Sequence, residues 1–196
     1  MCIRDRYEGD GRFYKAELYY KKYDRLALVE KGTVDAAEVL TSGGYGYSKG
    51  FDLFFNDRVL LKNLEYQLSY TYNIAKRKFQ EYTELTTPQY ATQHNASLVL
   101  KYSIPRIGTI VGLTNRFSSG RPYHNPDLLG LMNDHVKPYN SLDLGLTFLP
   151  SKKVIIHASA TNILCRKNEF GRVNNKAILA SNDHFFYIGV FITLGK

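Results

Sequence analysis

From Phe186 to Leu194 every second residue is apolar: Phe186, Ile188, Val190, Ile192 and Leu194, with Phe185, Tyr187, Gly189, Phe191 and Thr193 alternating with them. This two-residue spacing constrains the fold more than any other feature of the chain. Only a pleated strand sends successive side chains to opposite faces, so the segment presents one face that is oily along its whole length.

The pattern recurs upstream. A first strand is predicted over about Phe13–Lys31, with Tyr14, Ala16, Leu18 and Tyr20 on one face and Lys15, Glu17 and Lys21 on the other. Phe51, Leu53 and Phe55 then flank Asp52 and Asn56, and Leu64, Tyr66, Leu68, Tyr70 and Tyr72 alternate with Glu65, Gln67, Ser69, Thr71 and Asn73. Further strands carry Leu98, Leu100 and Tyr102; Val111, Leu113 and Phe117; Leu142, Leu144, Leu146 and Phe148; and Val154, Ile156, Ala158 and Ala160. With the closing segment these make about eight strands, several of ten residues or more, the length that crosses a bilayer at a tilt. The one stretch of helical composition, Ala36–Leu40, is too short to stand alone and lies beside Gly43-Gly44.

Alternation fits a soluble sandwich with its oily faces inward as well as a membrane barrel with its oily face outward. Connection lengths separate the two. Short links at Asp57–Asn63, Pro105–Gly108 and Pro150–Lys152 alternate with long ones at Gly32–Gly43, Lys76–Thr92, Arg121–Lys137 and Cys165–Asp183. Short turns on one rim and long loops on the other are the pattern of outer-membrane barrels. Aromatic residues follow it, Tyr102 and Phe148 falling near the short-turn rim and Tyr70, Tyr72 and Phe186 near the opposite one, as in two interfacial girdles. Mean hydropathy is −0.32, and no apolar run approaches the roughly 18 residues of a spanning helix. The expectation is therefore an all-β, antiparallel meander. A self-contained eight-stranded outer-membrane barrel of structural or adhesive role and a soluble, lipocalin-like binding protein are the competing readings.

The net charge is +8, but the cations are scattered, and nucleic acid is not expected as a partner. The one tight cluster, Lys76-Arg77-Lys78, falls where a strand leaves for a loop. It reads either as a solvated loop base or as a contact with acidic lipid headgroups at a membrane rim. Cys2 and Cys165 have no metal-site spacing. The start, MCIRDRYEGDG, has no apolar core of a signal peptide, and residues 1–6 fit nothing that follows them. They are set aside as a non-native leader, and the fold is read from residues 7–196.

No catalytic constellation stands out: there is no nucleophile elbow, phosphate loop or HExxH spacing, so neither an enzyme nor a cofactor is expected. His124 and His135 share a loop with Asp127 and Asp134, a grouping that loop structure explains without a metal. On the polar faces, Glu65, Gln67, Thr71, Arg116, Asp143 and His157 would line a wet interior, where such groups find hydrogen-bond partners. At the top of the fifth strand Gly120 and Pro122 end the ladder, leaving Arg121, Tyr123, His124 and Asn125 in a loop as candidate ligand contacts.

Several stretches together resemble the C-terminal part of the β-barrel of TonB-dependent outer-membrane receptors: GYSKGFDLFF (46–55), SSGRPY (118–123), LDLGLTF (142–148) leading into ASATNIL (158–164), and FYIGVFITL (186–194). The resemblance covers nearly everything after Gly11. It implies that these strands are the last third or so of a 22-stranded transmembrane barrel with a plugged lumen, and an open curved sheet in isolation. It further implies uptake of a scarce, bulky nutrient of the ferric siderophore, haem, cobalamin or glycan class. The implied partners are outer-membrane lipid, the plug domain and N-terminal barrel strands that this stretch does not contain, and TonB through that plug. One departure is the end, where Leu194, Gly195 and Lys196 stand in place of the family's terminal aromatic residue.

Overall fold

The structure, a computed structural model, describes residues 1–31, 38–173, 176–179 and 184–194. Its strands are β1 (Cys2–Gly9), β2 (Arg12–Lys31), β3 (Glu38–Leu61), β4 (Leu64–Lys78), β5 (His94–Ile104), β6 (Thr109–Ser118), β7 (Pro122–Tyr123), β8 (Asp134–His135), β9 (Tyr139–Ser151), β10 (Val154–Thr161), β11 (Glu169–Val173), β12 (Lys176–Leu179) and β13 (Phe185–Ile192). A 3-10 turn at Pro105–Ile107 is the one helical element among the described residues. Nine strands form one antiparallel sheet in the order β1-β2-β3-β4-β5-β6-β9-β10-β13, and β7–β8 and β11–β12 are small hairpins in the long loops. Among the described residues β1 and β13 do not pair with each other, so the sheet is open and the closed eight-stranded barrel is ruled out.

The ninth strand comes from the segment set aside as a leader. Residues 2–9 pair with β2 from Cys2↔Tyr19 to Gly9↔Arg12, so residues 2–6 of that segment are paired in the sheet. Tyr7 stacks on Tyr14 at 5.8 Å, and Arg4 pairs with Glu17 at 3.1 Å. Two more boundaries move. β2 and β3 stay paired out to Lys31↔Glu38, so residues 38–43 of the expected Gly32–Gly43 loop are strand, while 32–37 lie outside the described residues. The ladder continues there through a bulge, with Arg25 at a φ of 61° and shifted register between Asp24 and Leu26. Gly44 sits where a Cβ would come within 2.7 Å of the carbonyl oxygens of both Leu26 and Lys78, an approach that glycine permits. β4 likewise runs on through Lys78. The terminal Gly195 and Lys196 lie outside the described residues.

Register sorts the side chains into two faces. One row runs Tyr7, Tyr14, Phe55, Leu68, Leu98; the other runs Glu17, Asp52, Thr71, Asn95, Ser118, Tyr139. The oily face is uncovered: Leu68 is 38%, Leu144 40% and Ile192 62% exposed. Among the described residues the buried apolar side chains are Leu28, Ala75, Tyr123 and Val136, none of which forms a second layer under the sheet. A sandwich or lipocalin fold hides its inward apolar faces in a common core, so the soluble reading fails on this geometry.

The links on one rim are tight. Asp57, 1% exposed, accepts the Tyr14 hydroxyl at 2.7 Å and the backbone N–H groups of Val59 and Leu60 at 2.8 Å each, beside Arg12 at 3.0 Å. Gly108, at a φ of 59°, closes the Pro105 turn, and a Cβ there would lie 2.7 Å from the Leu149 carbonyl oxygen. Gly108→Ala is expected to destabilise the folded protein in detergent by about 1–2 kcal/mol, the cost of a left-handed residue, read as a lowered denaturation midpoint. Gly112→Ala, whose Cβ meets only the Gly145 carbonyl oxygen at 3.9 Å, is expected to stay within about 0.5 kcal/mol.

Candidate functional site

The polar face collects the six residues that the sequence assigns to a wet interior. By register Glu65, Gln67, Thr71, Arg116, Asp143 and His157 all project from the same side of the sheet. Most find partners close by. Lys101 approaches Glu65 at 3.9 Å, and Arg116 pairs with Asp143. Asp143 also accepts the Ser141 hydroxyl at 2.8 Å and the Asn162 N–H at 2.9 Å. His157 Nδ1 is hydrogen-bonded to Thr147 Oγ1 at 2.9 Å and its ring faces Tyr187. Such a surface holds its hydrogen-bonding groups in fixed directions, as needed to dock against another polar surface or against water.

Higher on this face lies a cleft that the sequence did not reveal, about 320 Å³ in volume and lined among others by Glu17, Lys21, Asp52, Thr71, Asn95 and Tyr90. Its floor is tied together by Asn73, whose side-chain oxygen accepts the hydroxyls of Tyr19 at 3.1 Å and Ser48 at 2.8 Å. Its roof is the loop between β4 and β5. Thr86 exchanges backbone hydrogen bonds with Arg77, Gln80 bridges Ala27 and Val29, and Asn73 N–H reaches Gln93, so the loop bends back over the polar face. The alternation of β2 and β4 locates the floor residues. The roof depends on contacts across many residues, which periodicity does not encode.

The other long loops interlock beside it. Asn168 and Asn140 bond reciprocally at 3.0 Å, Tyr139 stacks on Phe170 at 5.8 Å, and Ser119 Oγ accepts the N–H groups of Gln93 and His94. Within this cluster the four expected ligand contacts separate. Tyr123 is 3% exposed, donates its hydroxyl to Asp134 at 2.6 Å and lies under the Arg172 guanidinium at 5.8 Å. Asn125 donates to the same carboxylate at 3.0 Å, and its backbone N–H reaches Asn133. Both residues thus hold the β7–β8 hairpin together. Arg121 rests against the Phe170 ring at 5.1 Å and the Tyr90 ring at 6.0 Å, while His124 is exposed. Among the described residues no three His, Cys, Asp or Glu side chains gather into a metal cluster.

The sequence matches no protein-family model and no curated protein. Its fold does match solved structures. The outer-membrane transporter YddB from Escherichia coli superposes with a TM-score of 0.72 at 12% identity, covering 97% of this chain and 32% of that one. The ferripyoverdine receptor of the outer membrane of Pseudomonas aeruginosa gives 0.74 at 15% identity, covering 97% and 26%. The siderophore receptor PiuA from Acinetobacter baumannii gives 0.71 at 15% identity, covering 96% and 27%. The chain therefore has the fold of part of such a barrel and spans about a quarter to a third of the length of these structures.

The hydroxyl of Tyr123, with help from Asn125 and the His135 N–H, holds the Asp134 carboxyl at about 2, well below its ordinary value. A depressed carboxyl strengthens the folded loop above its unfolded value, and that contribution is lost as pH falls through the folded one. The Asp134 carboxyl resonance is expected to titrate near pH 2 in the native protein. Tyr123→Phe is expected to move that midpoint upward by removing the largest cause.

Proposed function

We propose that the chain is part of the transmembrane barrel of a TonB-dependent outer-membrane receptor, a ligand-gated importer and not an enzyme. One observation carries the reading: a wide antiparallel sheet, open at both edges, with an uncovered apolar face on one side and a hydrogen-bonding face on the other. In lipid such a sheet needs strands beyond β1 and β13, because each unmet backbone group in hydrocarbon costs several kcal/mol. The likeness in fold to outer-membrane transporters and siderophore receptors supports the same assignment.

In this reading the oily face meets outer-membrane lipid, and the face carrying Glu65, Gln67, Thr71, Arg116, Asp143 and His157 lines the bore and docks a plug domain. TonB acts through that plug. The interlocked long loops, with Arg121 and His124 at their surface, stand on the outer side, where cargo arrives. The cargo is a scarce, bulky nutrient of the siderophore, haem, cobalamin or glycan class. Ferric siderophores come first for testing, since the proteins similar in fold include the siderophore receptor PiuA and a ferripyoverdine receptor.

Nitroxide labels placed one at a time along β4 of the complete protein in bilayers test the orientation. Labels replacing Tyr66, Leu68 and Tyr70 are expected to collide freely with oxygen dissolved in hydrocarbon, and labels replacing Glu65, Gln67 and Ser69 are not. A flat or inverted profile along β4 would overturn the proposal.

A further inference from the structure

The Lys76-Arg77-Lys78 cluster is divided by the sheet. Arg77 lies on the polar face, its guanidinium 4.5 Å from the Tyr23 ring. Lys76 and Lys78 fall on the oily face, one residue to either side. Register brings two more lysines to the same outward patch: Lys76 is opposite Tyr47, which is opposite Lys22, while Lys49 is opposite Ile74 and Tyr20. Lys22, Lys49 and Lys76 are exposed and Lys78 half-buried. Among the described residues the one carboxylate ion-paired to them is Asp24, at 3.3 Å from Lys22, while Lys78 lines a cleft with Glu30 and Glu81.

Their height on the sheet is defined. On β4 the outward apolar run Leu64 to Ile74, at about 3.4 Å per residue and a tilt of about 45°, spans roughly 24 Å, close to the apolar band of an outer-membrane barrel. Lys76 and Lys78 come immediately above it. Aromatic rings mark the boundary: Tyr20 stacks on Tyr47 at 6.5 Å, and Phe51 packs against Tyr72 at 5.7 Å. Four lysines therefore project outward in the headgroup layer at the long-loop rim. A solvated loop base does not require that placement, since loop cations extend upward into water.

We propose that Lys22, Lys49, Lys76 and Lys78 form a binding surface for the phosphate groups of lipid headgroups in the leaflet at the long-loop rim. Tyr20 and Tyr47 supply the ring surface beneath the headgroup. The inference rests on the membrane reading above. It adds to that reading a specific lipid contact, with a stated chemistry and position. Charge complementarity and continuity with the apolar band select a phosphorylated lipid over a protein partner, because ammonium groups standing at headgroup height meet lipid phosphate first.

The test uses the complete protein in nanodiscs of phosphatidylcholine containing a minor fraction of phosphatidylglycerol, with the retained anionic lipid counted by native mass spectrometry. Replacing all four lysines with Gln is expected to weaken retention by about fivefold per lysine and to flatten its salt dependence. A control that removes equal charge at the short-turn rim, Lys62, Arg106, Lys152 and Lys153 to Gln, is expected to leave most of that retention in place. Inorganic phosphate added in solution is not expected to displace the lipid, since a lipid headgroup is the ligand. Equal loss in the two variants, or displacement by free phosphate, would overturn the proposal. Failure of the wild-type protein to insert into either lipid would instead defeat the membrane reading itself.

Discussion

An antiparallel ladder satisfies the backbone of every strand except the two at its ends, and the architecture of this protein follows from that constraint. β1 and β13 each turn a row of N–H and C=O groups outward. In water those groups would be solvated, and an exposed edge of this length would recruit other chains. In hydrocarbon they have no partner at all. In the membrane setting proposed above, such a sheet needs further strands at both edges, and its width and open edges fit a sector of a closed wall.

Register is the second consequence. Slipping any pair by one residue would turn Glu65, Gln67 and Asp143 onto the apolar face and Leu68 and Leu144 onto the polar one. The structure keeps its irregularities away from the band where a slip would matter most. Shifts fall between Asp24 and Leu28 at the long-loop rim, and between Asp57 and Leu61 and between Val154 and Ile156 near the short-turn rim. Two polar side chains that fall on the outward face away from the long-loop rim are satisfied locally. Asn115 donates to Asn140 and to the Ser141 carbonyl, and Asp57 is enclosed by Tyr14, Arg12 and the turn backbone.

What could be read in the sequence was whatever a period of two encodes. The outward rows of Leu64 through Tyr72 and Leu142 through Phe148, and the polar rows between them, follow directly from alternation. β1 was missed because Asp5 and Gly9 occupy its outward positions beside Ile3 and Tyr7, which leaves no continuous oily row. The far end of β2 was legible, but the start of β3, residues 38–43, was misread as loop because the glycines at 43 and 44 break the pattern while the ladder continues past the bulge at Arg25. At the candidate site the limit is range. Thr71 and Asp52 were placed by periodicity, but the fold-back of Tyr90 over them, and the burial of Tyr123 against Asp134, depend on loop contacts that no local pattern announces.

Separating the faces also changes how the net charge of +8 is understood. On the inward face cations stand beside carboxylates: Arg4 and Lys15 at Glu17, Lys101 at Glu65, and Arg116 at Asp143. Pairing of this kind leaves a surface that hydrogen-bonds in defined directions but exerts a weak field at long range, which suits docking a folded polar domain more than attracting a counter-ion. On the outward rim, among the described residues, Asp24 is the one carboxylate ion-paired to Lys22, Lys49, Lys76 and Lys78, so cations outnumber their paired carboxylates there. Because strand pleating assigns neighbouring residues to opposite environments, three consecutive cations in the sequence serve two surfaces, and Arg77 stacks inward while the lysines on either side of it point out.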